Sequence, residues 1–249
     1  MASIINTRAA ESHGSTVTQD EIRSILLTSS WFRALPDYLI EQIMARGYMN
    51  LYDSGEMVHL RGDESRNLYA VITGSVKVSS VSADGKECIF RYLSPGNWFG
   101  EIGIIDNSVR THDARATGNT ILLILKPDDI GYLLHNYPIF YRFLALLLCK
   151  VIRNAFTMLH DSTLLSVSAR LAKRLVSLSE NYGEPHENGI LINLYLIQDD
   201  LATLINTTRQ TLNKRLVTWE KLGWIEARYG KILIVNLGAL RQLYIDEDE

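Results

Sequence analysis

Glycines punctuate the stretch between Met49 and Leu125 at Gly55, Gly62, Gly74, Gly85, Gly96, Gly100 and Gly103, and the runs between them are short and β-rich. Leu68-Tyr69-Ala70-Val71-Ile72 leads into Gly74, and Ser75-Val76-Lys77-Val78 alternates. Ala83-Asp84-Gly85-Lys86 carries a hairpin signal, Cys88 to Leu93 follows, and the apolar run from Ile121 to Leu125 stops at Lys126-Pro127. Glycine permits the positive φ that tight reversals need, and alternation of apolar and polar residues marks a strand with one buried face. Strands of this number and spacing predict a β-sandwich or jelly-roll barrel.

Helical spacing brackets that region. Short helices are expected at residues 21–27 and 37–46, the second starting near Pro36. After Pro127 come a short helix over 128–135 and a long one from 139 to about 160. The long helix carries Phe143, Leu146, Leu147, Ile152, Phe156 and Leu159 at coiled-coil-like steps. Such a stripe has to be covered, by the chain's own barrel or by the same helix of a second copy, and the second predicts a homodimer. An amphipathic helix over 166–180, a polar loop over 181–189, a strand over 190–196, two helices with a turn, and a hairpin complete the reading. Residues 1–19 read as a flexible leader, and Asp246-Glu247-Asp248-Glu249 as a tail that frays into solvent.

At 249 residues the chain has room for two domains with cores of their own, and 47% hydrophobic with 21% charged residues is ordinary for a soluble protein. No signal peptide is expected, because the first twenty residues hold no continuous apolar run. The longest apolar stretch, residues 143–149, is too short to span a bilayer, so no membrane partner is expected. Cys88 and Cys149 stand alone; they are expected to be buried small hydrophobes, cannot supply four thiolates to an iron–sulfur cluster, and suit a reducing cytoplasm. The net charge of −3 hides a local excess of Arg209, Lys214, Arg215 and Lys221 over Glu220, and local charge governs docking to nucleic acid.

Two segments carry chemistry. Phe99-Gly100-Glu101-Ile102-Gly103 is followed, nine residues after the glutamate, by Arg110-Thr111. A glycine turn lets backbone N–H groups approach phosphate oxygens, a carboxylate accepts from a sugar hydroxyl, and an arginine grips a phosphate with two donors. Two readings of Glu101 and Arg110 stay open: a ligand-binding couple, or a buried ion pair that braces the turn. His112 reads as a polar histidine beside this site; no second His or Cys lies at ligand spacing, so neither a metal nor a covalent cofactor is expected.

The second segment runs from Gln198 to Val235. A short helix over 198–205 has Asp199 and Asp200 at its N-terminus, where the helix dipole favours them. Asn206 takes the turn, since asparagine tolerates a left-handed conformation, and Thr208 is a candidate N-cap. On the next helix Leu212, Leu216 and Trp219 share an inward face, with Gln210, Lys214, Val217 and Lys221 opposite. This is helix-turn-helix spacing, with the second helix free to enter a major groove. Arg209 suits guanine, Gln210 or Asn213 suits adenine, Lys214 suits a base or a phosphate, and Thr208 and Thr211 suit phosphates. The hairpin that follows is a wing with Arg228 and Lys231 at its tip.

In this order the segments resemble the cyclic-AMP receptor protein/fumarate–nitrate regulator (CRP/FNR) family of bacterial transcription regulators, from about Ile22 to Leu240. Ser54-Gly55-Glu56, Arg61-Gly62-Asp63, Leu68-Tyr69 and Gly74-Ser75-Val76 match the family's barrel turns. Phe99-Gly100-Glu101 with Arg110-Thr111 and Arg115-Ala116 matches its phosphate-binding cassette, and Thr207-Thr208-Arg209-Gln210-Thr211 resembles the start of its recognition helix. The resemblance implies an α+β protein: a flexible leader over 1–19, a cyclic-nucleotide-binding jelly-roll barrel over 20–137, a dimerisation helix over 138–161, and a winged helix-turn-helix domain over 162–249. It implies a non-enzymatic homodimer that binds a pseudo-palindromic duplex and contacts RNA polymerase.

A small effector, with cyclic AMP or cyclic GMP as candidates, is implied for a site made by Phe99, Gly100, Glu101, Ile102, Arg110 and Thr111, with Asn154, Phe156 and Thr157 from the long helix. The chain departs from the family pattern at His112-Asp113, where small residues are common. It departs again at Ala155-Phe156, where the catabolite activator has a Thr-Ser pair against adenine, and at Gln210, where the family has Glu. The alternative is a cyclic-nucleotide-binding regulatory subunit whose last domain docks protein. An enzyme is disfavoured because no nucleophile–base pair stands out.

Overall fold

The computed structural model describes residues 18–64, 66–228 and 230–248. The chain divides into two compact units, residues up to 80 with 90–152, and residues 81–89 with 153 onward. In chain order the elements are α1 (Gln19–Leu27), α2 (Ser30–Arg33), α3 (Asp37–Arg46), β1 (Tyr48–Tyr52), β2 (Met57–His59), β3 (Leu68–Val81), β4 (Glu87–Leu93), β5 (Trp98–Phe99), α4 (Ile102–Ile105), β6 (Asp113–Leu125), α5 (Pro127–Asn136), α6 (Ile139–Leu164), α7 (Val167–Tyr182), β7 (Gly183–His186), β8 (Gly189–Ile192), α8 (Gln198–Leu204), α9 (Arg209–Lys221), β9 (Ile225–Arg228), β10 (Lys231–Ile234) and α10 (Leu237–Asp248).

The first unit is an antiparallel sheet in the order β1-β6-β3-β4, with β2 added on β6 and β5 on β3. Strands β3 and β6 run through register shifts, one beside Gly74, whose φ of +73° no side-chain-bearing residue adopts easily. Alternation along these strands builds two cores. Leu68, Ala70, Ile72, Leu123 and Leu125 face a layer of helix residues that includes Phe32, Leu39, Ile43, Phe140 and Leu144. Tyr69, Val71, Val76, Val78, Leu122 and Ile124 fill the barrel interior with Phe99 and Leu93. Both faces of these strands are dry, which is why Ile121 to Leu125 is apolar without alternation.

Several expectations change here. Residues 1–17 of the expected leader lie outside the described residues, while Thr18 caps α1 through a reciprocal pair with Glu21. Cys88 and Cys149 are exposed, not buried. The long helix continues to Leu164. Phe143 and Leu147 lie in the core of the first unit, with Trp31 Nε1 donating to the Phe143 carbonyl at 2.5 Å. They belong to their own unit and not to a partner-facing stripe. Among the described residues α6 is the one helix long and apolar enough to cross a bilayer, where the 143–149 run alone is too short. Its exposed side nonetheless carries Arg142, Lys150, Arg153 and His160.

In the second unit α7 buries Leu171, Leu175 and Leu178 and is capped by Ser166, whose Oγ accepts from the Ala169 N–H at 3.2 Å. The expected polar loop at 181–189 contains β7, and the expected strand over 190–196 stops at Ile192. Both strands join the sheet β7-β8-β10-β9. The acidic tail is ordered through Asp248: α10 packs on α7, and the Glu247 carboxylate accepts from Ser166 N and Oγ at 2.7 Å each. The Ser166 amide and hydroxyl are otherwise free donors at a helix start, and a carboxylate answers both. Glu247→Ala is expected to lower stability by about 1 kcal/mol, read as a shift in urea midpoint; an unchanged midpoint would show the pair is inert.

Candidate functional site

Gly100 closes β5 with φ +99°, and a Cβ there would stand 2.6 Å from the Asn67 carbonyl oxygen and 2.9 Å from Arg110 Nη1. The turn therefore requires glycine. Glu101 follows, 2% exposed, with Oε2 lacking any hydrogen-bond partner. Arg110 is 5% exposed. Its Nη1 donates to the Gly100 carbonyl at 2.8 Å and Nη2 to the Asn67 carbonyl at 2.6 Å, while Nε has no partner. The arginine fork is thus spent on backbone and does not close an ion pair with Glu101 among the described residues. Burial pushes the Glu101 carboxyl upward, opposed by backbone hydrogen bonding and by the charges of Arg91 and Arg110. Burial pulls Arg110 below the usual arginine range.

Phe99 stacks on Tyr69 with centroids 4.9 Å apart, and Ile102 is half-buried at the start of α4. Thr111 is exposed, its Oγ1 2.8 Å from His112 Nδ1. Phe99, Gly100, Glu101, Ile102, Arg110 and Thr111 therefore share one corner of the barrel. Asn154, Phe156 and Thr157 lie on α6 in the other compact unit, all exposed, with Thr157 Oγ1 donating to the Arg153 carbonyl at 3.1 Å.

Two residues of this corner escaped the sequence. His59 is 4% exposed, its ring 6.0 Å from Tyr69, 6.2 Å from Phe99 and 5.8 Å from His112, with both nitrogens unpartnered. Burial, then the charge of Arg110, pulls it down to about 3; burial, then Arg91 and Arg110, pulls His112 down to about 4. Both imidazoles are neutral at physiological pH. Arg91, on β4, is the other: burial lowers it while the Glu101 charge raises it. Strand β2 brings His59 opposite Ala114, beside the turn that holds Arg110 and His112. Such pairing leaves no local trace in a single sequence.

In the second unit Asn206 takes φ +51° between α8 and α9, and the Thr207 N–H donates to the Ala202 carbonyl at 2.9 Å. Thr208 caps α9, accepting from Thr211 N at 3.2 Å, so its hydroxyl is already engaged. Leu212, Leu216 and Trp219 are buried, and Arg209, Gln210, Asn213 and Lys214 are exposed. The helix ends in a glycine cap: Gly223 takes φ +69°, Trp224 N donates to the Trp219 carbonyl at 2.9 Å, and the two indoles lie 6.2 Å apart. Arg209 Nη1 is 3.2 Å from Asp199 Oδ2. At the wing tip Arg228 bonds Glu226 and His186, and Lys231 bonds Asn193 Oδ1 at 2.5 Å. Arg170 sends Nη1 to the Leu165 carbonyl at 2.7 Å and Nε to the Ile205 carbonyl at 3.0 Å, tying the start of α7 to the turn before α9.

Comparison with known proteins matches the two halves separately. Residues 50–137 match the family model of the cyclic nucleotide-binding domain, and residues 169–243 that of the Crp-like helix-turn-helix domain. The chain belongs to the CRP/FNR family. Among its CRP/FNR relatives is a CRP-like cAMP-activated global transcriptional regulator of Mycobacterium tuberculosis, 27% identical over 183 residues, 74% of this chain and 82% of that one. Another is the cAMP-activated global transcriptional regulator CRP of Haemophilus influenzae, 25% identical over 217 residues, 86% of this chain and 96% of that one. FixK2 from Bradyrhizobium japonicum shares the fold, with a TM-score of 0.71 at 18% identity over 79% of this chain and 96% of that one. The protein is a DNA-binding transcription regulator of the CRP/FNR type, with its effector domain in the N-terminal half.

Proposed function

We propose that the protein acts as a homodimer, that a cyclic nucleotide occupies the barrel, and that occupancy sets how two copies of α9 meet an operator. The carrying observation is the buried corner in which Glu101 Oε2 and Arg110 Nε stand without partners. Such groups are costly when nothing meets them, and a ribose hydroxyl and a phosphate are the complementary chemistry. In this reading Gly100 and Arg110 with Thr111 hold the phosphate, Glu101 the ribose, and Phe99 and Ile102 the wall. Asn154, Phe156 and Thr157 meet the base. The effector domain covers 20–137, the dimer helix 138–161 and the DNA-binding domain 162–249. The work is done in the cytoplasm beside RNA polymerase and involves no catalysis.

Arg209, Gln210 and Asn213 are the base readers, Lys214 meets a base or a phosphate, Thr208 meets a phosphate, and Arg228 and Lys231 flank them. Arg209 is the base reader whose loss is most visible, because one bidentate contact to guanine carries about 1–3 kcal/mol of discrimination. Its exposed pair with Asp199 is worth less than about 1 kcal/mol and releases readily. The test is selection of duplexes from a random pool by the full-length protein, with cyclic AMP or cyclic GMP present. A pseudo-palindrome with half-sites about 34 Å apart is expected. Arg209→Ala is expected to relax one position per half-site. Failure to enrich any duplex under either nucleotide would overturn the reading, and an unchanged preference in Arg209→Ala would remove α9 as the reader.

A further inference from the structure

A carboxylate stands in contact with a base reader of the second unit. Asp199 lies in the first turn of α8, and its Oδ2 accepts from Arg209 Nη1 at 3.2 Å, although the two residues are ten apart in the chain. Both side chains are open to solvent, Arg209 at 63% and Asp199 at 59%. The frame that brings them together is fixed by bonds of its own. Thr203 Oγ1 donates to the Asp199 carbonyl at 2.8 Å inside α8. Asn206 makes the turn at φ +51°, and the Thr207 N–H returns to the Ala202 carbonyl at 2.9 Å. Arg170 Nε donates to the Ile205 carbonyl at 3.0 Å, and Thr208 caps α9 one residue before Arg209. The start of α8 and the start of α9 are thereby held at a set separation, and the pair spans it.

An exposed arginine samples many rotamers, and fixing one of them on a base costs conformational entropy. A carboxylate that takes Nη1 narrows the choice before the duplex arrives. It also decides which donors remain. Nε and Nη2 lie side by side on the edge of the guanidinium that Asp199 does not claim, and that edge matches guanine O6 and N7. A guanine then receives two donors while Asp199 keeps the third. In water the pair is weak, but a docked duplex displaces water and the same charges count for more. Adenine offers N7 beside an amino donor, so it meets the edge poorly. Arg209 is then drawn to a phosphate, and the Asp199 carboxylate is left bare beside like charges, which is repulsive. We propose that Asp199 is a positioning residue for Arg209 and raises the guanine preference of α9. The inference rests on the reading of α9 as the operator-reading helix.

The experiment is fluorescence anisotropy of the full-length protein, with cyclic AMP or cyclic GMP present, on three duplexes. One is an operator enriched from the random pool, one carries adenine for guanine at the position that Arg209→Ala relaxes, and one is a scrambled sequence. Wild type is expected to favour the guanine operator over the adenine one roughly ten- to a hundred-fold. Asp199→Ala is expected to cut that preference about five-fold and to tighten the scrambled duplex about two-fold. Asp199→Asn, whose amide oxygen still accepts from Nη1, is expected to keep more of the preference than Asp199→Ala, and it serves if the Ala variant fails to fold. In an Arg209→Ala background, Asp199→Ala is expected to leave the remaining preference unchanged, because no arginine is left to position. A wild-type preference in Asp199→Ala would overturn the proposal while α9 stays the reader. An equal change on all three duplexes would make Asp199 a general charge, and a gain in guanine preference would make it a competitor of the base; either overturns the proposal. An unchanged preference in Arg209→Ala would remove α9 as the reader, and the role of Asp199 with it.

Discussion

Leu159→Glu is expected to halve the mass of the protein in solution and to weaken operator binding about a hundred-fold or more. The monomer weighs 28.2 kDa, and light scattering distinguishes it from a species of twice that mass. The second half of α6 exposes large apolar side chains. Ile152, Phe156, Leu159 and Leu164 are 52%, 68%, 62% and 66% exposed. Ala145, Cys149, Ile152, Phe156, Leu159 and Thr163 are all exposed and follow one another at steps of four and three. That is the spacing of a coiled-coil seam, and in the proposed dimer burying each large side chain against a second copy contributes roughly 1.5–3 kcal/mol. A glutamate in the seam places two carboxylates in apolar surroundings. Loss of the seam separates two half-site readers, which forfeits an avidity on the order of 10²–10⁴. Leu147→Glu is the contrasting variant: Leu147 is 4% exposed in the core of its own unit, so it lowers the melting temperature at every protein concentration, whereas Leu159→Glu removes only the concentration-dependent stabilisation that a second copy contributes. A dimeric mass for Leu159→Glu would remove α6 as the interface.

That contrast marks where sequence reasoning reached and where it stopped. Periodicity located α6 and its apolar residues, because a helix that buries a stripe repeats at fixed steps. Periodicity is silent on what covers each residue, so Phe143 and Leu147 joined one stripe with Ile152 and Phe156, although the first pair packs inward and the second faces outward. The barrel was legible for the opposite reason. Gly74, Gly85, Gly96 and Gly100 all take positive φ, and glycine at a reversal is a local requirement written into the residue itself. Asn206, Thr208 and the Leu212-Leu216-Trp219 face were legible in the same way: each is a demand of one helix or one turn.

What stayed hidden depends on pairing between distant segments. The ring of His59 meets His112 because β2 lies along β6, fifty residues on in the chain. The tail misled because four consecutive acids read as solvated, whereas Glu247 finds the start of α7 eighty-one residues earlier. Cys88 and Cys149 misled because burial of cysteine is a tendency of the residue and not a property of its position: Cys88 lies on an outward-facing position of β4, and Cys149 on the open side of α6. The cassette itself was half legible. Glu101 and Arg110 are buried together as their spacing implied, but the fork of Arg110 goes to two carbonyls, a choice only the closed turn at Gly100 reveals.

Acid is expected to unfold the protein earlier than its carboxylates alone would require, and His59 is the cause. Its folded pKa is pulled from 6.5 to about 3, so between these values the unfolded chain binds a proton that the folded chain refuses. Stability is therefore present in full above about pH 6.5 and falls as pH drops toward 3. At about 1.4 kcal/mol per pH unit of such mismatch, His59 alone withdraws roughly 3 kcal/mol between neutrality and pH 4. His112, pulled to about 4, acts in the same sense. Glu101 acts against both: its folded pKa is raised, so its unfavourable ionised form is relieved as pH falls. Urea unfolding at pH 7 and pH 4 separates these contributions. His59→Phe keeps an aromatic ring among Tyr69 and Phe99 and removes the proton site, so the loss from pH 7 to pH 4 is expected to shrink by roughly 3 kcal/mol relative to wild type. Equal losses in the two proteins would mean that His59 accepts its proton in the folded barrel, and the dry, unpartnered imidazole described above would then be the wrong picture of that corner.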